Sequence, residues 1–428
     1  MALIPAWRVV GAQPGRVVAP DERLPWPQTA ALGVQHVIAM FGATVLAPLL
    51  MGLDPNLAIL MSGIGTLIFF LVVGGRVPSY LGSSFAFIGV VIAATGYAGQ
   101  GPNPNLGAAL GGIIACGALV ALIGAVVALA GTAWIEALMP PVVTGAVVAV
   151  IGLNLAGVPI KNMAPTGFDA WMQAVTFVSV GLVAVYTRGM AQRLLILVGL
   201  VAATLVYALL ANALGLGQPI DVSKVASAAW FGLPRFAAPQ FSAQAMLLIA
   251  PVAVILVAEN LGHVKAVSAM TGRNLDPYMG RAFIGDGLAT MVSGAAGGTG
   301  VTTYAENIGV MAATKIYSTA MFVVAALIAI LLGFSPKFGA LIQTIPLAVM
   351  GGVSIVVFGL IAVAGAKIWV ENKVDFGQNV NLVTAAVTLI LGTGDYTLKF
   401  GGFTMGGIGT ATFGAILLHA VLKPGAGR

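Results

Sequence analysis

The chain has 428 residues, of which only 7% are charged (19 Lys and Arg, 13 Asp and Glu), while 59% are hydrophobic and 57 are glycine. Soluble domains are about 25% charged, so these ionic side chains could not cover a water-soluble globule, and the mean hydropathy of +1.03 agrees. Disorder is excluded as well, because it requires few apolar residues and abundant charge. What remains is an all-α polytopic membrane protein. A net charge of +6 in a soluble protein would invite nucleic acid. Here it reads as the excess of Lys and Arg in the cytoplasmic loops of an inner-membrane protein, and no nucleic-acid partner is expected. The one cysteine, Cys116, lies in the apolar run GGIIACGALV, so no disulfide framework and no metal site is expected.

Residues 1–27 carry Arg8, Arg16, Asp21, Glu22 and Arg23 with several prolines and read as a polar cytoplasmic tail without the layout of a cleavable signal peptide. Beyond it, apolar runs long enough to cross a bilayer centre near residues 39, 65, 89, 118, 149, 178, 204, 251, 289, 307, 325, 353, 387 and 410, and 421–428 forms a second tail. Two runs, 82–97 and 298–314, are short and rich in Gly, Ser and Thr, which predicts broken spans. With fourteen spans and a cytoplasmic N-terminus, only Lys161, Lys224, Arg235, Lys337 and Lys399 of the 19 basic residues fall on the outer side. Both termini are therefore expected in the cytoplasm.

A faint repeat runs through the chain. Ser83-Ser84-Phe85-Ala86 with Ile88-Gly89-Val90 echoes Thr302-Thr303-Tyr304-Ala305 with Ile308-Gly309-Val310, at an offset of 219 or 220, and Pro140, Pro141 and Gly145 echo Pro346, Leu347 and Gly351 at 206. Both offsets are near half the chain. Seven spans per half is an odd number, so the second half must enter the membrane from the opposite side. Two inverted seven-span repeats are predicted, the architecture of alternating-access transporters with a site between interrupted segments.

Charge deep in an apolar run costs about 2.5–3.5 kcal/mol even on the lower scales and marks substrate or proton paths. Glu259, in LIAPVAVILVAENLGHV, and Glu306, in GGTGVTTYAENIGVM, stand out, with Asp286 a weaker third close to Arg281 and a span end. His263 follows Glu259 by four residues, on the same helical face, where the two could share a proton. His36 with Gln35 lies in the first span; a proton-relay role and a tertiary contact remain equally open. Phe85 and Tyr304 occupy corresponding places in the two broken segments and could flank a flat ring. Around 305–307 a carboxylate, an amide and unwound backbone come together, a set suited to a small polar ligand with both donors and acceptors.

The run Glu306-Asn307-Ile308-Gly309 through Thr314-Lys315 resembles the signature of the nucleobase-ascorbate transporter (nucleobase:cation symporter-2) family, and QHVIAMFGATVLAP (35–48), YLGSSFAFIG (80–89), VAVIGLNLAG (148–157), VAENLGH (257–263) and FGLIAVAG (358–365) resemble its uracil permease branch. MTGRNLDPYMGRAFIGDGLATM (270–291) is most similar to permeases that accompany pyrimidine-utilisation pathways. The resemblance implies fourteen spans in two inverted repeats with short strands in spans 3 and 10. It implies a core domain of spans 1–4 (28–135) and 8–11 (241–335), and a gate domain of spans 5–7 (136–240) and 12–14 (336–420). It further implies uracil import, with thymine or a related pyrimidine as possible substrates, by proton symport through alternating access, with the proton as coupling ion in place of any cofactor. Substrate would be bound by Glu259, Glu306, Phe85, Ala305 and Tyr304. Proton coupling would use Glu259, His263 and His36, with Asn307, Gln35 and Ser84 in support. A homodimer through the gate domain is expected, embedded in lipid. Ala305 departs from the glycine usual in uracil permeases, which bears on the choice between uracil and thymine. Sodium coupling, a purine or xanthine substrate, and an anion transporter of the same fold are the rival readings. An enzyme is not expected, because three scattered histidines and one cysteine supply neither an oriented nucleophile nor a metal cluster.

Overall fold

A run of some twenty apolar residues in lipid has one economical solution, a helix that satisfies its own backbone. The computed structural model describes residues 6–11, 16–97, 101–400 and 403–423; residues 1–5 and 424–428 of the expected tails lie outside them. Each predicted centre falls in a segment of its own. Spans 1 to 7 are Trp26–Met51, Pro55–Val72, Leu81–Ser83 with Phe87–Thr95, Leu106–Ala130, Pro141–Leu155, Gly167–Tyr186 and Leu195–Ala208. Spans 8 to 14 are Ala243–Ile249 with Val252–Thr271, Met279–Ala296, Val301–Thr303 with Ala305–Thr314, Thr319–Gly333, Leu347–Glu371, Asn379–Thr393 and Gly407–Leu422. Among the described residues eight helices are by themselves long and apolar enough to cross a membrane, and the chain is a multi-pass membrane protein.

Spans 3 and 10 are broken as expected. Each is a three-residue strand followed by a helix of nine or ten residues, about 15 Å long at 1.5 Å per residue and so half of a bilayer core. The strands pair antiparallel, with Leu81 opposite Thr303, Gly82 opposite Thr302 and Ser83 opposite Val301. Their outer edges are closed by threonines of the preceding spans. Thr66 Oγ1 accepts from the Leu81 N–H at 2.9 Å, and Thr290 Oγ1 accepts from the Val301 N–H at 3.1 Å while donating to the Val301 carbonyl at 2.8 Å. Polar backbone at this depth is thereby paired.

The helix contacts repeat the same two-fold relation. Span 2 packs antiparallel on span 11, where a side chain at Gly63 would strike the Ala326 carbonyl, and span 9 packs antiparallel on span 4, where Gly287 lies against the Gly117 carbonyl. Span 9 is span 2 shifted by seven and span 4 is span 11 shifted back by seven, so exchanging the two halves turns the first pair into the second. Span 5 packs antiparallel on span 12, a pair that maps onto itself and straddles the axis. Small residues set these close approaches because lipid offers apolar helices no gain from merely touching.

Three features depart from the sequence reading. Span 8 is interrupted at Ala250–Pro251, where proline has no N–H to continue the ladder. A hairpin, Leu398–Phe400 with Phe403–Met405, joins spans 13 and 14. The N-terminal segment is folded rather than a simple tail, with Arg8–Val9 paired in parallel to Glu22–Arg23. Because valine keeps the shape of Thr290 but not its hydroxyl, Thr290→Val is expected to lower stability by about 1–3 kcal/mol through the stranded Val301 groups. Thr290→Ser should stay near the parent, and thermal unfolding in detergent measures both.

Candidate functional site

The two strands feed half-helices whose N-termini lie where the strands cross. The second, Ala305–Thr314, has no side-chain cap, and its first acid is Glu306. The Tyr304 N–H is taken by the Tyr80 carbonyl, and the Ile308 N–H returns to the Tyr304 carbonyl. The N–H groups of the intervening first turn have no partner within the helix, and they present a positive end to any ligand there. Ala305 is exposed and Glu306 half-buried at this point, and Glu259 on span 8 is likewise half-buried although its flanking residues Ala258 and Asn260 are covered. The two carboxyls lie within electrostatic reach of each other. Both residues thus keep partial exposure and stand outside the fully packed core. Phe85, also half-buried, meets Phe358 of span 12 edge to face at 6.2 Å; sequence reasoning missed Phe358, although it opens the family-like run FGLIAVAG.

The register corrects one sequence expectation. Leu81 and Val301, each the first residue of its strand with its N–H on a threonine of the preceding span, are equivalent, so the repeat offset is 220 (301 less 81), and Phe85 corresponds to Ala305 and Ser84 to Tyr304. A shift of one residue in a strand turns the side chain to the other face. Tyr304 accordingly is not placed to flank a flat ring. It is 4% exposed, its hydroxyl donates to the Ser83 carbonyl at 2.8 Å and accepts from Thr44 Oγ1 at 3.2 Å, and its ring covers Gly82, where a Cβ would lie 2.5 Å from it. Tyr304 is a brace between the crossed strands. Ser84 is buried too, its hydroxyl accepting from the Ala86 N–H at 3.3 Å.

The histidines are also placed differently from expectation. His263 shares a helix face with Glu259, but its Nδ1 is 2.8 Å from Thr303 Oγ1, and no hydrogen bond joins it to Glu259 among the described residues. The imidazole ties span 8 to the second strand. His36 is fully buried, its ring tilted at 54° against Phe322 with centroids 4.6 Å apart, and its Nδ1 accepts from the Asn307 amide at 3.0 Å. The same amide donates to the His36 carbonyl at 3.0 Å. Span 1 therefore holds Asn307, and His36 is enclosed between span 1 and the half-helix. Gln35 is half-buried, with its amide nitrogen unpartnered.

Asp286 was undervalued in the sequence. Instead of sitting near a span end it is fully buried on span 9, beside Asn260 and Thr302 and within electrostatic reach of Glu259. Arg281, the neighbour that made it look peripheral, points to the Val72 carbonyl at 2.6 Å. The flanking glycines of IGDGLA, which bring span 9 against spans 2 and 4, were the available signal.

The model of the Permease family (Xan_ur_permease) matches residues 27–400. Among curated proteins the chain is 71% identical over 407 residues to "Putative pyrimidine permease RutG" of Escherichia coli (strain K12), covering 95% of this chain and 92% of that one. It is 43% identical to the uracil permease of Bacillus caldolyticus, with 92% of each chain covered, and 39% identical to the uracil permease of Escherichia coli (strain K12), covering 95% and 94%. Among solved structures, the transmembrane domain of the cyanobacterial bicarbonate transporter BicA aligns with a TM-score of 0.63 at 17% identity, covering 86% of this chain and 96% of that one. The murine anion transporter Slc26a9 aligns at 0.66 and 11%, covering 92% and 67%. At such identities the likeness shows the fold alone.

The bracing role of Tyr304 makes Gly82→Ala costly, by about 1–3 kcal/mol of overpacking, whereas Tyr304→Phe should lose about 1 kcal/mol for its hydrogen bond. Adding Tyr304→Ala to Gly82→Ala should recover part of the Gly82 loss, because the clash goes with the ring. Thermal unfolding of the three variants distinguishes a brace from a residue that touches only ligand.

Proposed function

The chain belongs to the Permease family of xanthine and uracil permeases, and on that premise we propose that it is a secondary active transporter importing uracil by proton symport. What supports this reading is the pair of partly exposed carboxyls, Glu259 and Glu306, within electrostatic reach of each other, Glu306 lying in the first turn of a half-helix without a side-chain cap. Uracil is a planar neutral lactam with two N–H donors and two carbonyl acceptors. The free N–H groups at the start of the Ala305–Thr314 helix suit a ring carbonyl, Glu306 accepts a ring N–H, and Phe85 backed by Phe358 supplies an apolar wall. Glu259, loaded with a proton, both donates and accepts, so protonation creates the state that binds the base. His263 holds the strand against span 8 and transmits that change to it. A base presenting the wrong edge leaves buried groups unpaired at about 1–3 kcal/mol each. The exposed Ala305 methyl sets the room left for a 5-methyl group, and thus the preference for uracil over thymine.

One proton carried with a neutral base moves one charge, about 2.3 kcal/mol per 100 mV, enough for roughly 50-fold accumulation at 1.36 kcal/mol per tenfold. Alternating access is read as a core domain of spans 1–4 and 8–11 moving against a gate domain of spans 5–7 and 12–14. The dense packing of spans 2, 4, 9 and 11 on one side, and of 5, 6, 12, 13 and 14 on the other, supports that division. We place the protein in the bacterial inner membrane with both termini cytoplasmic, as a homodimer through the gate domain. Anionic substrates, which the fold's structural relatives suggest, are opposed by two acids at the site.

Uptake of labelled uracil into proteoliposomes is expected to follow an imposed proton gradient and ignore sodium. Uptake that required sodium and not protons would reverse the coupling assignment. Glu306→Gln should weaken uracil binding about 100-fold, equivalent to some 3 kcal/mol, in protein that still folds. Glu259→Gln should bind uracil with no dependence on pH, as read by calorimetry across pH 5–8.

A further inference from the structure

The N-terminal segment is attached to the far end of the half-helix that carries Glu306. That helix stops at Thr314, and Lys315 follows in the left-handed region at φ 59°, a conformation that a side-chain-bearing residue keeps only when its surroundings fix it. What fixes it is residues 18–20. The Val18 N–H donates to the Lys315 carbonyl at 3.0 Å, the Tyr317 N–H to the Val18 carbonyl at 2.8 Å, and the Thr319 N–H to the Pro20 carbonyl at 3.1 Å. Trp7 Nε1 donates to Thr319 Oγ1 at 2.8 Å, and the Trp7 ring stacks on Phe70 of span 2. Val10, Val18 and Leu24 bury themselves against Leu32 and Ile316 as a small apolar cluster.

The segment is anchored in turn by its charges. Glu22, 7% exposed, takes Arg8, Arg16 and the Ala19 N–H, and the hydrogen bond from Arg8 holds its carboxyl below the usual carboxylate range. Asp21 accepts from Arg273 at 2.7 Å, two residues beyond the end of the helix bearing Glu259. One extramembrane strap thus joins the cytoplasmic ends of the two segments that bring the acids together.

We propose that this strap positions Glu306 for substrate, with Val18 and the Asp21–Arg273 pair as positioning residues that act through the half-helix without touching the ligand. The inference rests on the uracil-binding reading of the site. A ten-residue helix held at its foot delivers its first turn to a fixed place, and loosening the foot blurs the geometry at the N-terminal end.

The test measures uracil affinity by calorimetry, and KM and maximal uptake in proteoliposomes. Val18→Pro deletes the N–H that holds Lys315, and Asp21→Arg sets a cation beside Arg273. Each is expected to raise Kd and KM at least about fivefold while maximal uptake stays within about twofold. Asp21→Arg with Arg273→Asp should recover most of the affinity, and the milder Asp21→Asn should move Kd in the same direction by about twofold. Variants that yield less folded protein but bind uracil with unchanged Kd would overturn the proposal, as would a double reversal no better than its worse parent. Glu306→Gln in the same assay keeps the two readings apart: unchanged binding there removes the site assignment itself, whereas its loss, together with unaffected strap variants, removes only the strap.

Discussion

Backbone hydrogen bonding at the centre of the membrane governs this structure. A strand inside lipid must find partners for every peptide group or cost several kcal/mol for each one left over. Here two strands from opposite halves of the chain pair with each other, and threonines from spans 2 and 9 close the remaining edges. Only because that cross is self-sufficient can two half-helices begin at mid-depth, the second with the N–H groups of its first turn outside the helical ladder. The ligand-facing chemistry, the two-fold relation of the repeats and the burial of Tyr304 all descend from this pairing.

Around the cross, close helix contacts through small residues make spans 2, 4, 9 and 11 a tightly interlocked body, and the span 5–12 contact gives the opposing side an axis of its own. Dense interiors transmit displacement rather than absorb it. A shift of the half-helix that carries Glu306 is therefore felt by Asn307 and His36, by Thr303 through its strand, and so by His263. His36 and His263 act here as couplings between elements, each joining its own span to span 10.

Much of this was legible in the sequence, for identifiable reasons. Composition and run length fixed the spans because lipid imposes a hard minimum length. Glu259 and Glu306 stood out because charge is so scarce that depth alone identifies it. The broken spans showed through their Gly, Ser and Thr content. The reading failed where one residue of register mattered. Tyr304 was matched to Phe85 by residue type, whereas the strand pairing matches it to Ser84 and buries it. Asp286 was discounted for its sequence neighbour Arg281, whose side chain turns elsewhere. Helical spacing put His263 beside Glu259 correctly, but nothing in one helix's periodicity could reveal Thr303 arriving from another segment. The N-terminal segment read as polar because its partners, Ile316, Thr319 and Arg273, lie some 250 to 300 positions away.

The two-fold cross carries an uneven cargo. By the register of the strands, Ala86 stands in the first half where Glu306 stands in the second, and Phe85 where Ala305 does. Duplication supplied two copies of one frame, yet one copy keeps an aromatic ring and a small buried residue while the other keeps a methyl group and an acid. A site with an acid on both sides would concentrate like charge at the axis and read a base equally in either orientation. Specialising the copies removes that degeneracy, so a planar ring has a polar side and an apolar side to satisfy and one way to lie. The frame stays symmetric while its side chains do not, the two acids falling in the second half and the aromatic ring of Phe85 in the first.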